Sequence, residues 1–134
     1  MIVLDECIDD DLIARAISVW YQGKVISIRA LRPGTLIKDD AIATLLQRVA
    51  QPTFITINVD DFWKQNQADS RYCIITIEID QDQTSRLSII LRRLLNLSEF
   101  HTKATRMGKV ARVRPTHIEY YRENRQIQKL LWSE

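Results

Sequence analysis

Short apolar segments alternate with amphipathic helical segments through the first part of the chain, and this alternation restricts the possible folds more than any other feature. The apolar segments have the length and the β-branched content of buried strands, and they cover residues 2–4, 25–28, 54–57 and 73–79. Apolar residues at helical spacing follow the first strand from Leu12 to Trp20 and the second from Ile37 to Val49. The order β-α-β-α-β-loop-β predicts an α/β domain with a small, mainly parallel sheet and helices on both faces.

The last third of the chain has a different pattern. Its predicted elements are a helix over 87–95, a hairpin of two strands over 110–113 and 117–121, and a last helix over 123–132. A chain of this length and hydrophobic content fits one domain with one sizeable core. We therefore expect a single domain over 1–134, with an α/β core over 1–80 and a basic C-terminal extension over 81–134.

The formal net charge of +2 hides an uneven distribution of charge. Residues 1–85 contain 8 basic and 13 acidic side chains, whereas residues 86–134 contain 11 basic and 4 acidic ones. The first part is suited to a bound cation and the second to a polyanion. Ordinary solvated faces, or a surface for an acidic partner protein, explain the same counts equally well.

The basic part supplies the residues that we predict as RNA contacts. These are Arg92, Arg93, Arg106, Lys109, Arg112 and Arg114, with Tyr120 and Tyr121 available to stack on bases. The two histidines of the chain, His101 and His117, are interpreted as surface or hairpin residues rather than general bases.

Targeting and cysteine signals point to the cytoplasm. The apolar segments are far shorter than the ~20 residues of a membrane-spanning helix, and no basic region precedes the first of them, so we expect no signal peptide and no membrane partner. Cys7 and Cys73 have no CxxC spacing and no neighbouring histidine, which is typical of reduced, partly buried thiols.

Acidic residues follow the predicted strands at the edge where α/β sheets bind ligands. Asp5 and Glu6 come directly after strand one, Asp60 and Asp61 follow strand three, and Asp39 and Asp40 open the second helix. A strand order of 2-1-3-4 would bring these groups together. Because clustered carboxylates repel one another, such a cluster needs a cation, and oxygen ligands favour Mg²⁺ or Mn²⁺.

Helix capping is the competing interpretation of the same acidic residues. For Asp9, Asp10, Asp11 and Asp40 we favour capping, because aspartate is common at helix starts. For Asp5 we favour a ligand role.

The motifs together resemble a known family. They are Asp5-Glu6 after Ile2–Leu4, Asp39 three residues before Ile42, and Thr56-x-Asn58 followed by Asp61-Phe62. Over residues 1–80 this pattern is similar to the compact bacterial PIN-like domains, relatives of the VapC-type toxin ribonucleases. The resemblance implies a three-layer PIN-like fold and hydrolysis of RNA phosphodiesters with Mg²⁺ or Mn²⁺.

The resemblance also implies roles for particular residues. Asp5, Asp39 and Asp61 would be catalytic metal ligands, joined by Glu6 and Asn58, and Thr56 would orient a ligand. Asn58 stands where the family has an acid, so that it offers a carbonyl oxygen without negative charge. A cognate antitoxin protein and a homodimer are further implied partners.

Two other functions fit parts of the pattern. A PIN-like module without catalysis, which binds nucleic acid or protein, agrees with the loss of charge at Asn58. A receiver-like signalling domain also has an acidic pair after strand one, but here the position after strand three is Asn58, and the later Ser/Thr and Lys-Pro positions of that family have no convincing counterpart.

Overall fold

A seven-stranded mixed sheet forms the centre of the computed structural model, which describes residues 1–8, 10–31, 39–63 and 68–132. The strands are β1 (Ile2–Leu4), β2 (Val25–Ser27), β3 (Thr53–Thr56), β4 (Cys73–Ile77), β5 (Val110–Val113), β6 (His117–Tyr121) and β7 (Gln128–Leu131). Their spatial order is β2-β1-β3-β4-β5-β6-β7. Pairing is parallel from β2 to β5 and antiparallel from β5 to β7.

Helices connect the parallel strands. They are α1 (Asp11–Trp20), α2 (Asp39–Leu46), α3 (Val59–Trp63), α4 (Leu87–Leu95) and α5 (Lys103–Arg106), with 3-10 turns at Glu6–Ile8, Ile28–Leu31 and Gln81–Arg86. The Asp10 carboxylate accepts a hydrogen bond from the backbone N–H of Leu12 at 2.8 Å, and so caps α1 as the sequence predicts. Asp9 lies outside the described residues.

The sheet separates two apolar cores. Successive strand residues point to opposite faces, so that Leu4 and Ile55 pack with α1 and α4, whereas Val3 and Phe54 pack with α2 and α3. Because both faces of β1, β3 and β4 are covered, these strands consist of continuous apolar runs instead of an alternating pattern. That burial is the physical reason why these strands could be predicted from the sequence.

The α/β class and the parallel arrangement agree with the prediction, but the sheet is larger than expected. The order 2-1-3-4 is incomplete, because β5, β6 and β7 continue the same sheet beyond β4. The backbone N–H of Ile74 donates to the carbonyl of Lys109 at 3.0 Å at the start of this pairing. With β5 beside it, β4 is an internal strand whose backbone groups have partners on both sides.

The predicted last helix over 123–132 is wrong, because residues 128–131 form β7. Leu130 pairs with Ile118 and Lys129 with Glu119. Pairing with β6 gives the backbone of this segment hydrogen-bond partners, whereas a helix of this length is marginal without extensive packing. The predicted hairpin of β5 and β6 is confirmed.

Helix α3 is an element that the sequence pattern did not predict. It places Phe62 and Trp63 in the core, with exposed fractions of 0% and 9%, and the ring of Trp63 contacts the ring of Tyr121. This tertiary burial explains a helix that is too short for a periodic pattern. None of the described helices has the length and apolar character needed to span a bilayer.

Helix α4 offers a test of the core on the α1 side of the sheet. Leu91 is fully buried, whereas Ile89 on the same helix is 67% exposed. We expect Leu91→Ala to lower the free energy of unfolding by about 2–5 kcal/mol and the matched Ile89→Ala to change it by less than about 0.5 kcal/mol. Urea unfolding followed by circular dichroism measures both. Equal losses would contradict the packing of α4.

Candidate functional site

Asp5 lies at the carboxyl end of β1, at the point where the strand order reverses. The chain passes from β1 to β2 on one side and then crosses to β3 on the other side. The backbone N–H of Asp5 donates to the carbonyl of Ile55 at 2.9 Å, which extends the pairing with β3 by one residue. Crevices at such a reversal are where open α/β sheets bind ligands.

The carboxylate of Asp5 is held by three donors. Its Oδ1 accepts from the backbone N–H of Glu6 at 2.8 Å, and its Oδ2 accepts from Thr56 Oγ1 at 2.7 Å and from Cys7 Sγ at 3.3 Å. Thr56 Oγ1 in turn accepts from the backbone N–H of Asn58 at 3.0 Å. The Thr56 hydroxyl therefore fixes the Asp5 carboxylate against the segment that follows β3.

Cys7 lies beside Asp5 as a neutral thiol. Burial raises the pKa of Cys7, and the neighbouring Asp5 carboxylate raises it further, against hydrogen bonds from Ile57 and Thr56 that lower it. Burial also raises the pKa of Cys73 to about 12. Both cysteines are free in the structure; Cys7 is partly buried as the sequence predicts, whereas Cys73 is fully buried.

Asp5 is a buried acid without a cationic partner among the described residues. It is 7% exposed, and no described lysine, arginine or histidine forms an ion pair with it. An ionised carboxylate in such surroundings is costly unless a cation or more hydrogen bonds compensate it. Among the described residues, Oδ1 accepts one hydrogen bond, and a carboxylate oxygen has a second lone pair that can bind a donor or a hard cation. The chemistry of Asp5 thus fits Mg²⁺ or Mn²⁺.

The other predicted ligands lie in the segments that follow β1, β2 and β3 along the chain. Asp39 is the first residue of α2, and Asp61 is the third residue of α3, which follows β3. Glu6 and Asn58 are half-buried, next to Asp5 and two residues after Thr56, respectively. The side chains of Asp39, Asp40 and Asp61 lie outside the described part of the structure, and the remaining described side chains contain no group of three potential metal ligands. Their joint ligation of a metal therefore stays a prediction.

Two of the predicted RNA contacts are interior residues. Arg106 is 3% exposed, and its guanidinium donates from Nε to Thr53 Oγ1 at 3.1 Å and from Nη1 to the carbonyls of Phe100 and His101 at 2.9 and 3.1 Å. It ties the loop after α4 to β3. A side chain held in this way cannot reach a phosphate without local unfolding, so the role of Arg106 is structural.

Lys109 has a similar position. It is 4% exposed, its ammonium donates to the carbonyl of Glu99, and it lies 5.1 Å from the ring centre of Phe100 and 4.9 Å from that of Tyr120. Burial lowers the pKa of Lys109, and the charge of Arg122 adds to this shift. Aromatic faces compensate part of the desolvation of the ammonium.

The two tyrosines that were predicted to stack on bases have internal contacts. Tyr120 packs edge-on against Phe100. Tyr121 is 6% exposed, and its hydroxyl donates to the carbonyl of Trp63 at 2.9 Å. We therefore leave both tyrosines, with Arg106 and Lys109, out of any RNA surface.

Arg112, Arg114 and His117 converge on one acid, Glu119. Its Oε1 lies 2.8 Å from Arg112 Nη2, 3.5 Å from Arg114 Nη1 and 3.2 Å from His117 Nε2. Burial acts to raise the pKa of Glu119, but the hydrogen bonds from Arg112 and His117 outweigh it, and the pKa lies below its usual value. No sequence signal indicated this network, because its members meet only when β5 and β6 pair.

The exposed arginines of the predicted RNA set are on α4. Arg92 and Arg93 both face solvent, and the guanidinium of Arg93 lies 4.5 Å from the centre of the Trp132 ring. Arg114 is partly exposed and bonds Glu78 Oε2 at 2.8 Å. These three residues, unlike the interior pair, are positioned to meet a ligand from solution.

Comparisons with known proteins add no identification. No protein-family model, no curated protein and no solved structure matches the chain. The resemblance to PIN-like domains therefore stays a prediction that rests on the residues.

The lowered pKa of Glu119 predicts that its contribution to the stability of the fold is lost in acid. A carboxylate with a lowered pKa stabilises the fold above its ordinary pKa and loses this contribution as the pH falls through the lower, folded-state value. We expect the stability difference between the wild type and Glu119→Gln to shrink as the pH falls below about 4.5. Urea unfolding between pH 7 and pH 3 measures it. Asp82→Asn, at an exposed acid, is the control, and a pH-independent difference would contradict the network.

Proposed function

We propose that the chain is a PIN-like ribonuclease of a toxin–antitoxin type that hydrolyses RNA phosphodiesters with Mg²⁺ or Mn²⁺. The observation that carries the proposal is the Asp5 carboxylate, which is buried, oriented by Thr56 and without a described cationic partner at the carboxyl end of β1. A cation at this point would compensate that charge. Asp39 and Asp61, with Glu6 and the carbonyl oxygen of Asn58, would complete the ligands.

The residues of the chain have distinct roles in this proposal. Asp5 would bind the cation, and Thr56 holds the Asp5 carboxylate in one orientation through Oδ2, whereas Oδ1 accepts a hydrogen bond from the backbone N–H of Glu6. Cys7, as a thiol with a raised pKa, adds a hydrogen bond without adding a negative charge. A divalent cation held by these residues would activate a water and offset the negative charge that develops on the phosphate.

A non-catalytic PIN-like binding module is the second candidate, and Asn58 favours it. Asn58 removes one negative charge from the expected ligand set, which weakens the attraction for a divalent cation. In this case the acidic residues at the carboxyl ends of the strands would hold no catalytic metal. The arginines on α4 and β5 would bind the partner without any cleavage. A cognate antitoxin is a partner in the first proposal, whereas a nucleic-acid or protein partner defines the second.

Substitution of Asp5 separates the two candidates. Isothermal titration with MnCl₂ should give saturable binding in the wild type and none in Asp5→Asn, and Asp82→Asn should behave as the wild type. Because a metal supplies several kcal/mol to the transition state, cleavage of a fluorescent single-stranded RNA should fall about a hundredfold or more in Asp5→Asn. Cleavage that survives this change would overturn the proposed site. Absence of both binding and cleavage in the wild type would favour the binding module.

Thr56 provides a second test, because Thr76 is its register partner on β4 and is equally buried. Thr56→Val removes the hydroxyl that bonds Asp5, whereas Thr76→Val removes one that bonds the carbonyl of Ala111. We expect Mn²⁺ affinity to fall about tenfold or more in Thr56→Val only, with recovery in Thr56→Ser. Equal losses of affinity in both valine variants would show a general effect of destabilisation.

A further inference from the structure

A groove lined by arginines and an indole runs beside the carboxyl ends of β4 and β5. It has a volume of about 160 Å³, and the residues that matter for its chemistry are Arg86, Arg93, Arg114, Glu78 and Trp132. Arg86 and Arg93 lie about two turns apart along the same side of α4 and its preceding turn, with Ile90 between them on the groove wall. The groove thus combines cations, an aromatic ring and an apolar wall.

The charges of the groove leave an excess of positive charge. Glu78 is its acidic side chain, and it bonds Arg114 at 2.8 Å. This hydrogen bond raises the pKa of Arg114. Arg86 and Arg93 are exposed, and neither forms an ion pair with a described residue. Two guanidinium groups are therefore available to an incoming anion.

The aromatic wall is fixed by its own contacts. Trp132 Nε1 donates to the carbonyl of Arg114 at 3.0 Å, and the Arg93 guanidinium lies over the Trp132 ring at 4.5 Å. The pair offers two planar groups, an indole and a guanidinium, on either of which a base can stack. Phosphate recognition by arginine and stacking on planar groups are the two features of single-strand binding sites.

The groove adjoins a second cleft that reaches the segment after β3. This cleft shares Glu78, Ile79 and Gln83 with the groove and reaches Ile57 and Val59. These last two residues flank Asn58, whose backbone N–H bonds Thr56. In addition, Gln81 Nε2 donates to the carbonyl of Cys7 at 2.8 Å, so that the turn carrying Gln83 and Arg86 is tied to the turn after Asp5.

We propose that this groove binds the single-stranded RNA that flanks the phosphate held near Asp5, with Arg86 and Arg93 on backbone phosphates and a base stacked on the Arg93–Trp132 pair. The proposal rests on the proposed ribonuclease function. A small enclosed metabolite is disfavoured, because the groove is smaller than the pockets of about 300 Å³ or more that bury drug-sized ligands and lies open along the edge of the sheet. A strand that crosses the groove needs no enclosure.

Binding is measured without divalent metal, so that cleavage does not interfere. The probe is a short fluorescein-labelled single-stranded RNA of mixed sequence, with EDTA present, and the readout is fluorescence anisotropy over a series of NaCl concentrations. We expect the double variant Arg86→Gln/Arg93→Gln to weaken binding about tenfold or more and to reduce the slope of log K against log salt by about 0.7 for each phosphate that is no longer neutralised. Tryptophan quenching by the RNA should decrease in Trp132→Phe.

Arg15→Gln is the matched control, since Arg15 is an exposed arginine on α1 that does not line the groove. It should keep the affinity and the salt slope of the wild type. The proposal is overturned if the double variant binds as the wild type does, if Arg15→Gln weakens binding as much, or if a duplex of the same sequence binds equally well. It is also overturned if polyglutamate, and not RNA, binds with the same dependence on arginine.

These results are separable from those on the metal site. Arginine-dependent RNA binding by a protein that does not cleave RNA would keep the groove and overturn the ribonuclease. Asp5-dependent cleavage with unchanged RNA binding in the double arginine variant would keep the ribonuclease and overturn the groove.

Discussion

Strand β1 is enclosed on all sides, and most features of the molecule depend on this enclosure. It is three residues long, has β2 and β3 as neighbours, and is covered by helices on both faces of the sheet. Where the strand ends, the next residue is still within the pairing with β3 but is no longer apolar. A carboxylate at this point cannot turn to bulk solvent, and so Asp5 has to obtain its hydrogen bonds from Glu6, Cys7 and Thr56. The burial of Asp5 and its set of hydrogen bonds follow from the position of β1.

At the other end of the sheet, buried cationic side chains donate hydrogen bonds to buried carbonyl groups. Arg106 lies in the interior and bonds β3 and two carbonyls of the loop after α4, and Lys109 bonds the carbonyl of Glu99 between two aromatic rings. Carbonyl groups of irregular segments need donors when they are buried. Long cationic side chains supply these donors where no strand or helix is available. Arg106 and Lys109 therefore stabilise the fold instead of contributing to its surface.

The sequence predicted those parts of the fold whose signal is local. Continuous apolar runs identified β1, β3 and β4, and the spacing of Leu87, Leu91 and Leu94 identified α4, because each pattern reflects burial of the element itself. Helix α3 and strand β7 were not predicted, because the first depends on the contact of Trp63 with Tyr121 and the second on pairing with β6. In the candidate site, Asp5 was predicted from its place at a strand end and Thr56 from the resemblance to PIN-like domains. The convergence of Arg112, Arg114 and His117 on Glu119 was not predicted, because it arises only from the pairing of distant segments.

The burial and pairing of basic residues also change the long-range electrostatic character of the protein. Residues 86–134 have 11 basic side chains against 4 acidic ones, which by itself would suggest a broadly cationic surface. However, Arg106 and Lys109 are inside, and Arg112 and Arg114 lie against Glu119 and Glu78. Seven basic side chains of this part stay exposed: Arg86, Arg92 and Arg93 at α4, and Lys103, Arg122, Arg125 and Lys129 outside it. At physiological salt the field of such surface charges decays within about a Debye length of 8 Å, so that they act on a polyanion at short range rather than from afar.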